Sequence, residues 1–366
     1  MDIETKIELV RRKPTEEIVT EQVLREIFEN HTHPKHYIGF EISGLVHLGT
    51  GLCTAIKIKD FLKAGIKPTI WLADYHTWVN GKLGGDIDRI RKVAEGYFKH
   101  CFIALGLDED KVSYLLASKH YNPDYWADVI KIANETTMKR MLRCVTIMGR
   151  KESDALQSSM LLYPAMQAAD IFLLDVQIAH AGMDQRKVHI LAYELADKFN
   201  RKFAAVHSHL LPGLQGPARM TVETETKTET KDAKIEAATD AKMSKSKPDS
   251  AIFIHDSEEE IKKKIAKAFC DQGTTNGNPI FEIAEYLILR DKDKKIKIER
   301  PAKFGGDLEI ADSEELRKIY ASGKLHPMDL KNAVANELVS MLKPARDYFV
   351  KHKEYLEQIK NLEITR

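Results

Sequence analysis

Two short segments, far apart in the chain, carry the residue types that handle phosphate: His47-Leu48-Gly49-Thr50 and Lys242-Met243-Ser244-Lys245-Ser246. An imidazole N–H can donate to a phosphate oxygen, and glycines at Gly44 and Gly49 let backbone and phosphate approach closely. A helix predicted to start near Leu48 would add free N–H groups and a favourable dipole. Lys242 and Lys245 lie three apart around Ser244. Mobile cations so placed suit a triphosphate whose β and γ groups must leave, because they can meet charge as it appears in the transition state. Each segment by itself is a weak signal. A His-x-Gly triplet is as readily a surface or capping histidine, and a Lys/Ser pentapeptide is as readily an exposed turn.

Two further patches narrow the chemistry. In the stretch from Leu161 to Asp170, Tyr163, Gln167 and Asp170 fall on one face of a helix. That face is too polar for a core stripe and suits a pocket for an ammonium and a hydroxyl. Leu162, Met166 and Ile171 around it argue for burial over a solvated face. The run Ala181-Gly182-Met183-Asp184-Gln185-Arg186-Lys187-Val188-His189 places a glycine at a predicted strand-to-helix junction. Asp184 there can accept from ribose hydroxyls, while Arg186 and Lys187 point to phosphate or nucleic acid.

The elements that must hold these residues follow from periodicity. Residues 36–41 read as a short strand. Leu48, Leu52, Ala55, Ile58 and Leu62 recur at helical spacing up to Gly65, and residues 69–73 form a β-rich apolar run. Strand, helix, strand in about forty residues makes a βαβ unit and a parallel sheet. Residues 171–176 and 204–206 read as further buried strands, and 121–150 as a helical insertion. Residues 221–240 alternate threonine with charge and read as a mobile loop or a solvated hairpin. Beyond Ser257, which forms a capping box with Glu260, helices take over. They restart at Ile280 after Asn278-Pro279, at Ser313, at His326-Pro327, and again after Pro344, with a small hairpin of Ile296/Ile298 against residues 308–310. The expected fold class is therefore α/β: a Rossmann-like parallel-sheet domain over 1–255 with a helical connective region at 105–160, then a mainly α-helical domain over 256–366.

Composition sets outer limits. A chain of 366 residues exceeds what one core usually serves. Its 43% hydrophobic content is ordinary for a globular protein, so disorder is not the default. Apolar runs fall far short of a membrane span. Met1-Asp2-Ile3-Glu4 lacks an apolar export core, and the four cysteines show no Cys-x-x-Cys pair. A cytoplasmic, reducing setting with buried free thiols and no protein-held metal is the expectation. Net charge of +1 gives no overall basic field, but lysines gather at 262–264 and 292–303, which leaves RNA binding open.

Taken together and in this order, the four patches resemble a class I aminoacyl-tRNA synthetase, and most closely the tyrosyl enzyme of the archaeal and eukaryotic type. The resemblance runs from Tyr37-Ile38-Gly39-Phe40-Glu41 to the segment His326-Pro327-Met328-Asp329. It implies that Tyr37 and Asp170 contact a phenol, that Tyr163, Gln167 and Gln185 hold the ammonium end, and that Trp71 and His76 line the pocket. It assigns ATP, accompanied by Mg²⁺, to Gly44, His47, Gly49, Thr50, Asp184, Lys242, Ser244 and Lys245, with His47 and the two lysines catalytic. Arg143, Arg186 and Lys187 match positions facing the tRNA acceptor end, and Phe304, His326 and Asp329 those near the anticodon. A homodimer joined through 105–160 is also implied. The tryptophan enzyme, or an inactive RNA-binding relative, would share most of these features. One position departs from the family pattern: Thr50 stands where its first motif ends in a second histidine.

Overall fold

The computed structural model describes residues 1–150, 154–216, 230–244, 248–291 and 293–360. Contacts divide the chain into two compact units. One comprises Met1–Gly44, Ala55–Ser208 and Glu354–Arg366; the other comprises Leu45–Thr54 and His209–Lys353.

The first unit is built on six strands: β1 (Thr15–Val19), β2 (Lys35–Phe40), β3 (Lys67–Leu72), β4 (Ser113–Leu116), β5 (Ile178–Gly182) and β6 (Ala204–Ser208). Their order across the sheet is β1-β6-β5-β2-β3-β4. All neighbours are parallel except β1, which runs antiparallel to β6 at the edge. Alternate residues of the strands feed two separate cores. Tyr37, Ala179 and Ala205 join one with the helices Pro123–Asn134 and Tyr163–Leu173; Ile178, Ala204 and Val206 join the other with the N-terminal helices. This period-two division explains why these strands read as continuous apolar runs. The chain builds outward from β2 through β3 to β4, then crosses back to β5 on the opposite side of β2. The sheet order thus reverses between β2 and β5, where open α/β sheets bind ligands beyond the strand ends.

In the second unit, Ser257 accepts from the Glu260 amide while the Glu260 carboxylate accepts from the Ser257 amide, so the expected capping box starts the helix Glu258–Lys267. That helix packs on the long helix Pro327–Lys351. The small hairpin forms as read, with β7 (Ile296–Ile298) antiparallel to β8 (Leu308–Ile310). Among the described residues, no helix is long and apolar enough to cross a membrane.

Several local readings change. Residues 171–176 are not a strand. The helix Tyr163–Leu173 takes up 171–173 and buries ten side chains around its circumference, so its apolar run carries no helical period to read. Asp175, at φ 48°, then turns the chain into β5. Residues 221–240 are not loop throughout: Lys231–Ala241 is a helix capped by the Thr230 hydroxyl, and it buries none of its residues. Its alanines supply the helix propensity, while the threonine-rich 221–229 lies outside the described residues. Pro344 does not begin a new helix but sits within Pro327–Lys351. Leu338 and Leu342 before it and Ala345 and Phe349 after it are all buried, and that continuous packing offsets the hydrogen bond proline removes. The region 105–160 is not wholly helical, since it contains β4.

Candidate active site

Within the first unit, a polar cluster forms in an otherwise apolar core. Asp170, on the helix Tyr163–Leu173, is 1% exposed. Its Oδ1 accepts a hydrogen bond from the Tyr121 hydroxyl at 3.0 Å, and its Oδ2 has no hydrogen-bond partner. His76 Nε2 stands 3.7 Å from that free oxygen and is also unpartnered, as is Trp71 Nε1. Buried polar atoms are rarely left unpaired, so three in one pocket mark a place that receives a polar ligand. Burial pushes the Asp170 carboxyl well above the usual carboxylate range, while the Tyr121 hydroxyl pulls it back. Burial also lowers the His76 imidazole to about 3, so it is neutral at physiological pH.

The walls are aromatic. Tyr163 meets His76 edge-on at 4.6 Å, and Tyr121 stacks on Tyr125 at 3.9 Å while presenting an edge to Trp71. Tyr37 on β2 is buried on the same core face. Its hydroxyl lies so close to Gly39 that a Cβ there would sit 2.5 Å from it. The two residues share a strand face because side chains alternate, and glycine leaves room for the phenol ring along the strand. Next to the switch point, Gln167 donates to Gln185 Oε1 at 3.2 Å, and Gln185 donates to the Ile147 carbonyl at 3.0 Å. Asp184 occupies the turn Met183–Gln185 directly after β5. The structure therefore brings Tyr37, Trp71, His76, Tyr163 and Asp170 into one cluster, with Gln167 bonded to Gln185.

Arg186 opens the next helix, and its Nε donates to both Glu17 oxygens, at 3.1 and 2.8 Å. The Glu17 carboxylate also stands 2.8 Å from His207 Nδ1, and His207 Nε2 meets His189 Nδ1 at 3.1 Å. Lys187 donates to Thr146 Oγ1 at 3.3 Å, and Arg143 is exposed on the helix Met138–Cys144.

The two phosphate-handling segments both belong to the second unit, apart from Gly44, which closes a stretch of the first at φ 138°. His47 pairs with Phe253 in an antiparallel bridge, flanked by Leu48 N–H to the Ile252 carbonyl at 3.0 Å. His47 Nδ1 accepts from the Gly49 amide at 3.2 Å, which leaves the proton on Nε2, facing Thr50 Oγ1 at 3.3 Å. Thr50 therefore meets the first motif residue directly. Gly51 packs tightly behind: a Cβ would lie 2.7 Å from Val46 Cγ1 and 2.8 Å from Ile254 Cγ2. The helix itself starts at Leu52, four residues later than the periodicity suggests. Lys242 bridges to Pro212, and buried Met243 anchors the segment through its amide to the Leu211 carbonyl at 2.7 Å. The Ser244 carbonyl accepts from Ser250 Oγ at 3.4 Å. Lys245 and Ser246 lie outside the described residues.

Farther along the second unit, Phe304 is 62% exposed, with Lys303 Nζ over its ring at 4.9 Å. His326 caps the helix Pro327–Lys351 by accepting from the Met328 amide, and Asp329 lies in that helix's first turn. Arg300 donates to the Gly306 carbonyl at 2.9 Å and the Lys324 carbonyl at 3.2 Å, which ties the two loops carrying Phe304 and His326 together.

Sequence reasoning missed Tyr121, Tyr125, Gly39 and Glu17. Aromatics crowding the Asn122-Pro123 helix start could have flagged the first two. Nothing local distinguishes Glu17.

Residues 29–343 match the family described as tRNA synthetases class I (W and Y). The tyrosine--tRNA ligase of Thermococcus sibiricus is 52% identical over an alignment that takes in all of both chains. The tyrosyl-tRNA synthetase of Pyrococcus horikoshii, solved complexed with L-tyrosine, superposes with a TM-score of 0.92 at 48% identity, covering 99% of this chain and 100% of that one. Its counterpart from Archaeoglobus fulgidus, also complexed with L-tyrosine, gives 0.82 at 40% identity over 95% and 99% of the two chains.

Proposed function

We infer how this chain works from the premise that it belongs to the class I tRNA synthetases of the W and Y type. It activates L-tyrosine with ATP, giving tyrosyl-AMP and pyrophosphate, and transfers the tyrosyl group to the 3′ end of tRNA(Tyr). The amino-acid carboxylate is already ionised at pH 7 and needs no general base. Its oxygen attacks the α-phosphorus in line, and the bond to the pyrophosphate oxygen breaks. A ribose hydroxyl of the tRNA then attacks the acyl carbon and AMP leaves. Catalysis rests on positioning and electrostatics.

The residue roles are proposals. Asp170 Oδ2 accepts the proton of the substrate phenol, and the Tyr37 hydroxyl donates to its oxygen. Tyr163, Gln167 and Gln185 take the ammonium end, with Trp71 and His76 as pocket walls. His47, Lys242 and Lys245 meet the phosphates. Gly44 and Gly49 allow their close approach, Thr50 and Ser244 add hydroxyl contacts, and Asp184 accepts from the ribose. Mg²⁺ travels with ATP, on the nucleotide's own phosphates. Arg143, Arg186 and Lys187 serve the acceptor end. Phe304, His326 and Asp329 form an anticodon contact, so 1–255 is the catalytic domain and 256–366 the anticodon-binding domain. A homodimer through 105–160 is supported by the exposed Trp126, Ile130 and Met138 in that stretch.

The observation that carries the pocket assignment is the buried Asp170 Oδ2 without a partner. A phenol donates and accepts, whereas an indole N–H only donates. Phenylalanine would leave the buried carboxylate unpaired, which is the costly case. Pyrophosphate exchange with each amino acid in turn tests this. Exchange should require tyrosine, and Asp170→Ala should raise the tyrosine KM by roughly 10- to 100-fold with little change for ATP. Exchange with tryptophan alone would refute the substrate assignment, and unaltered tyrosine kinetics in Asp170→Ala would refute the residue's role.

A further inference from the structure

A carboxylate in a pocket of this kind has two acceptor oxygens, and how many remain for the substrate depends on what occupies the other. Here Tyr121 donates to Oδ1 at 3.0 Å, while Oδ2 stays unpartnered beside the unpartnered His76 Nε2. The Tyr121 oxygen is also 3.5 Å from His76 Nδ1, so one hydroxyl touches both groups that flank the free position. We propose that Tyr121 is a specificity-determining positioning residue: its hydroxyl holds Oδ1 of Asp170, leaving Oδ2 as the single acceptor for one phenol proton. This deepens the tyrosine reading above and rests on it.

The ring and the hydroxyl of Tyr121 have separable jobs. The ring stacks on Tyr125 and touches Trp71, Tyr75 and Trp126, which a phenylalanine would retain. Only the hydroxyl reaches Asp170. Without it the buried carboxylate would keep only the smaller pulls of Tyr125 and Trp71 and could rotate, so a phenol would meet a less firmly fixed acceptor. The cost falls on substrates that use Oδ2. Phenylalanine, which makes no hydrogen bond there, loses nothing when Tyr121 loses its hydroxyl.

Around Asp170 the titratable groups are Tyr37, Asp74, His76, Tyr121, Tyr125 and Tyr163. Burial pushes the four phenols up and the imidazole down to about 3, so none of these five changes charge in the neutral range. Burial raises the Asp170 carboxyl, and its hydrogen bond from Tyr121 opposes that rise. Removing the bond lets the carboxyl rise further. Because the ionised form is the acceptor, the acid limb of tyrosine activation should then move to higher pH.

The test is tyrosine- and phenylalanine-dependent pyrophosphate exchange on the full chain, comparing wild type with Tyr121→Phe and Tyr121→Gln. In Tyr121→Phe, kcat/KM for tyrosine should fall roughly 10- to 100-fold, the range of one hydrogen bond to a charged group. Phenylalanine kcat/KM and the ATP KM should stay within about twofold, and the acid limb for tyrosine should shift upward. Tyr121→Gln, which keeps an N–H donor, should recover part of the tyrosine preference. Equal losses for both amino acids in Tyr121→Phe, with no recovery in Tyr121→Gln, would overturn the proposal, as would an unchanged tyrosine preference. A wild type inactive with tyrosine would instead sink the tyrosine reading itself.

Discussion

Replacing Gly39 by alanine adds a single methyl group, yet the geometry predicts a selective defect in tyrosine handling. The new Cβ would lie 2.5 Å from the Tyr37 hydroxyl and 3.1 Å from its Cζ. Ordinary contact begins near 3.4 Å, so the hydroxyl must move by about 0.9 Å. Gly39 does not have a positive φ, so the backbone accepts alanine and the effect is purely one of space. Tyr37 is 2% exposed and cannot swing into solvent. Overpacking of this sort costs about 1–3 kcal/mol of stability. A displacement near 1 Å of a group that must meet the phenol costs up to about 100-fold in activity. Pyrophosphate exchange measured against tyrosine, then against ATP, separates the two: tyrosine kcat/KM should drop while the ATP KM holds. The double variant Tyr37→Phe/Gly39→Ala supplies an internal check, since phenylalanine lacks the atom in the closest contact. Its loss should be no greater than that of Tyr37→Phe alone, a strongly non-additive result. Wild-type tyrosine kinetics in Gly39→Ala, or simple additivity in the double variant, would refute the reasoning.

Two other outcomes follow from the same structure. Thr50→Ala removes the hydroxyl facing His47 Nε2; the ATP KM should rise by roughly 2- to 10-fold, the worth of one neutral hydrogen bond, with the tyrosine KM unmoved. An unchanged ATP KM would make Thr50 a bystander. Stability should also fall in mild acid. Burial lowers His36 and His76 from 6.5 to about 3, and His180 and His189 also lie well below 6.5. Between pH 6.5 and about 3 the unfolded chain therefore binds protons that these native imidazoles refuse. Folding free energy should decline as pH drops below that upper value, by up to about 1.4 kcal/mol per pH unit for each histidine. A thermal midpoint that stays flat from pH 7 down to 5 would contradict the assigned burial.

Much of the α/β frame was legible because its signals are local. A period of two or 3.6, a glycine stop and the Ser257/Glu260 capping box each lie within one turn or strand of the residues they govern. The readings that failed did so where local pattern carries no direction. The fully buried helix Tyr163–Leu173 and a fully buried strand look alike in hydropathy, and only length and packing separate them. Pro344 reads as a stop because its ring removes a donor; the buried residues on both sides outweigh that loss. The antiparallel edge strand β1 gave no early sign, since its pairing partner β6 lies far along the chain.

The sequence by itself determined the chemical inventory: which imidazole, lysines, amides and carboxylate are available, and the order in which they occur. Those facts follow from residue type and spacing, and through their resemblance to a known family they pointed to an amino-acid-activating enzyme. Tertiary structure alone decided how each group is used. It set Tyr121 on one oxygen of Asp170 and left the other free, and laid the Tyr37 phenol over Gly39. It also turned His47 Nε2 toward Thr50 and bound Arg186 to Glu17. For Asp170 and Arg186 the physical reason is the same. A hydrogen bond within about 3.5 Å depends on where two distant segments pack, and except for the His47 and Tyr37 contacts these partners lie 49 or more positions apart along the chain.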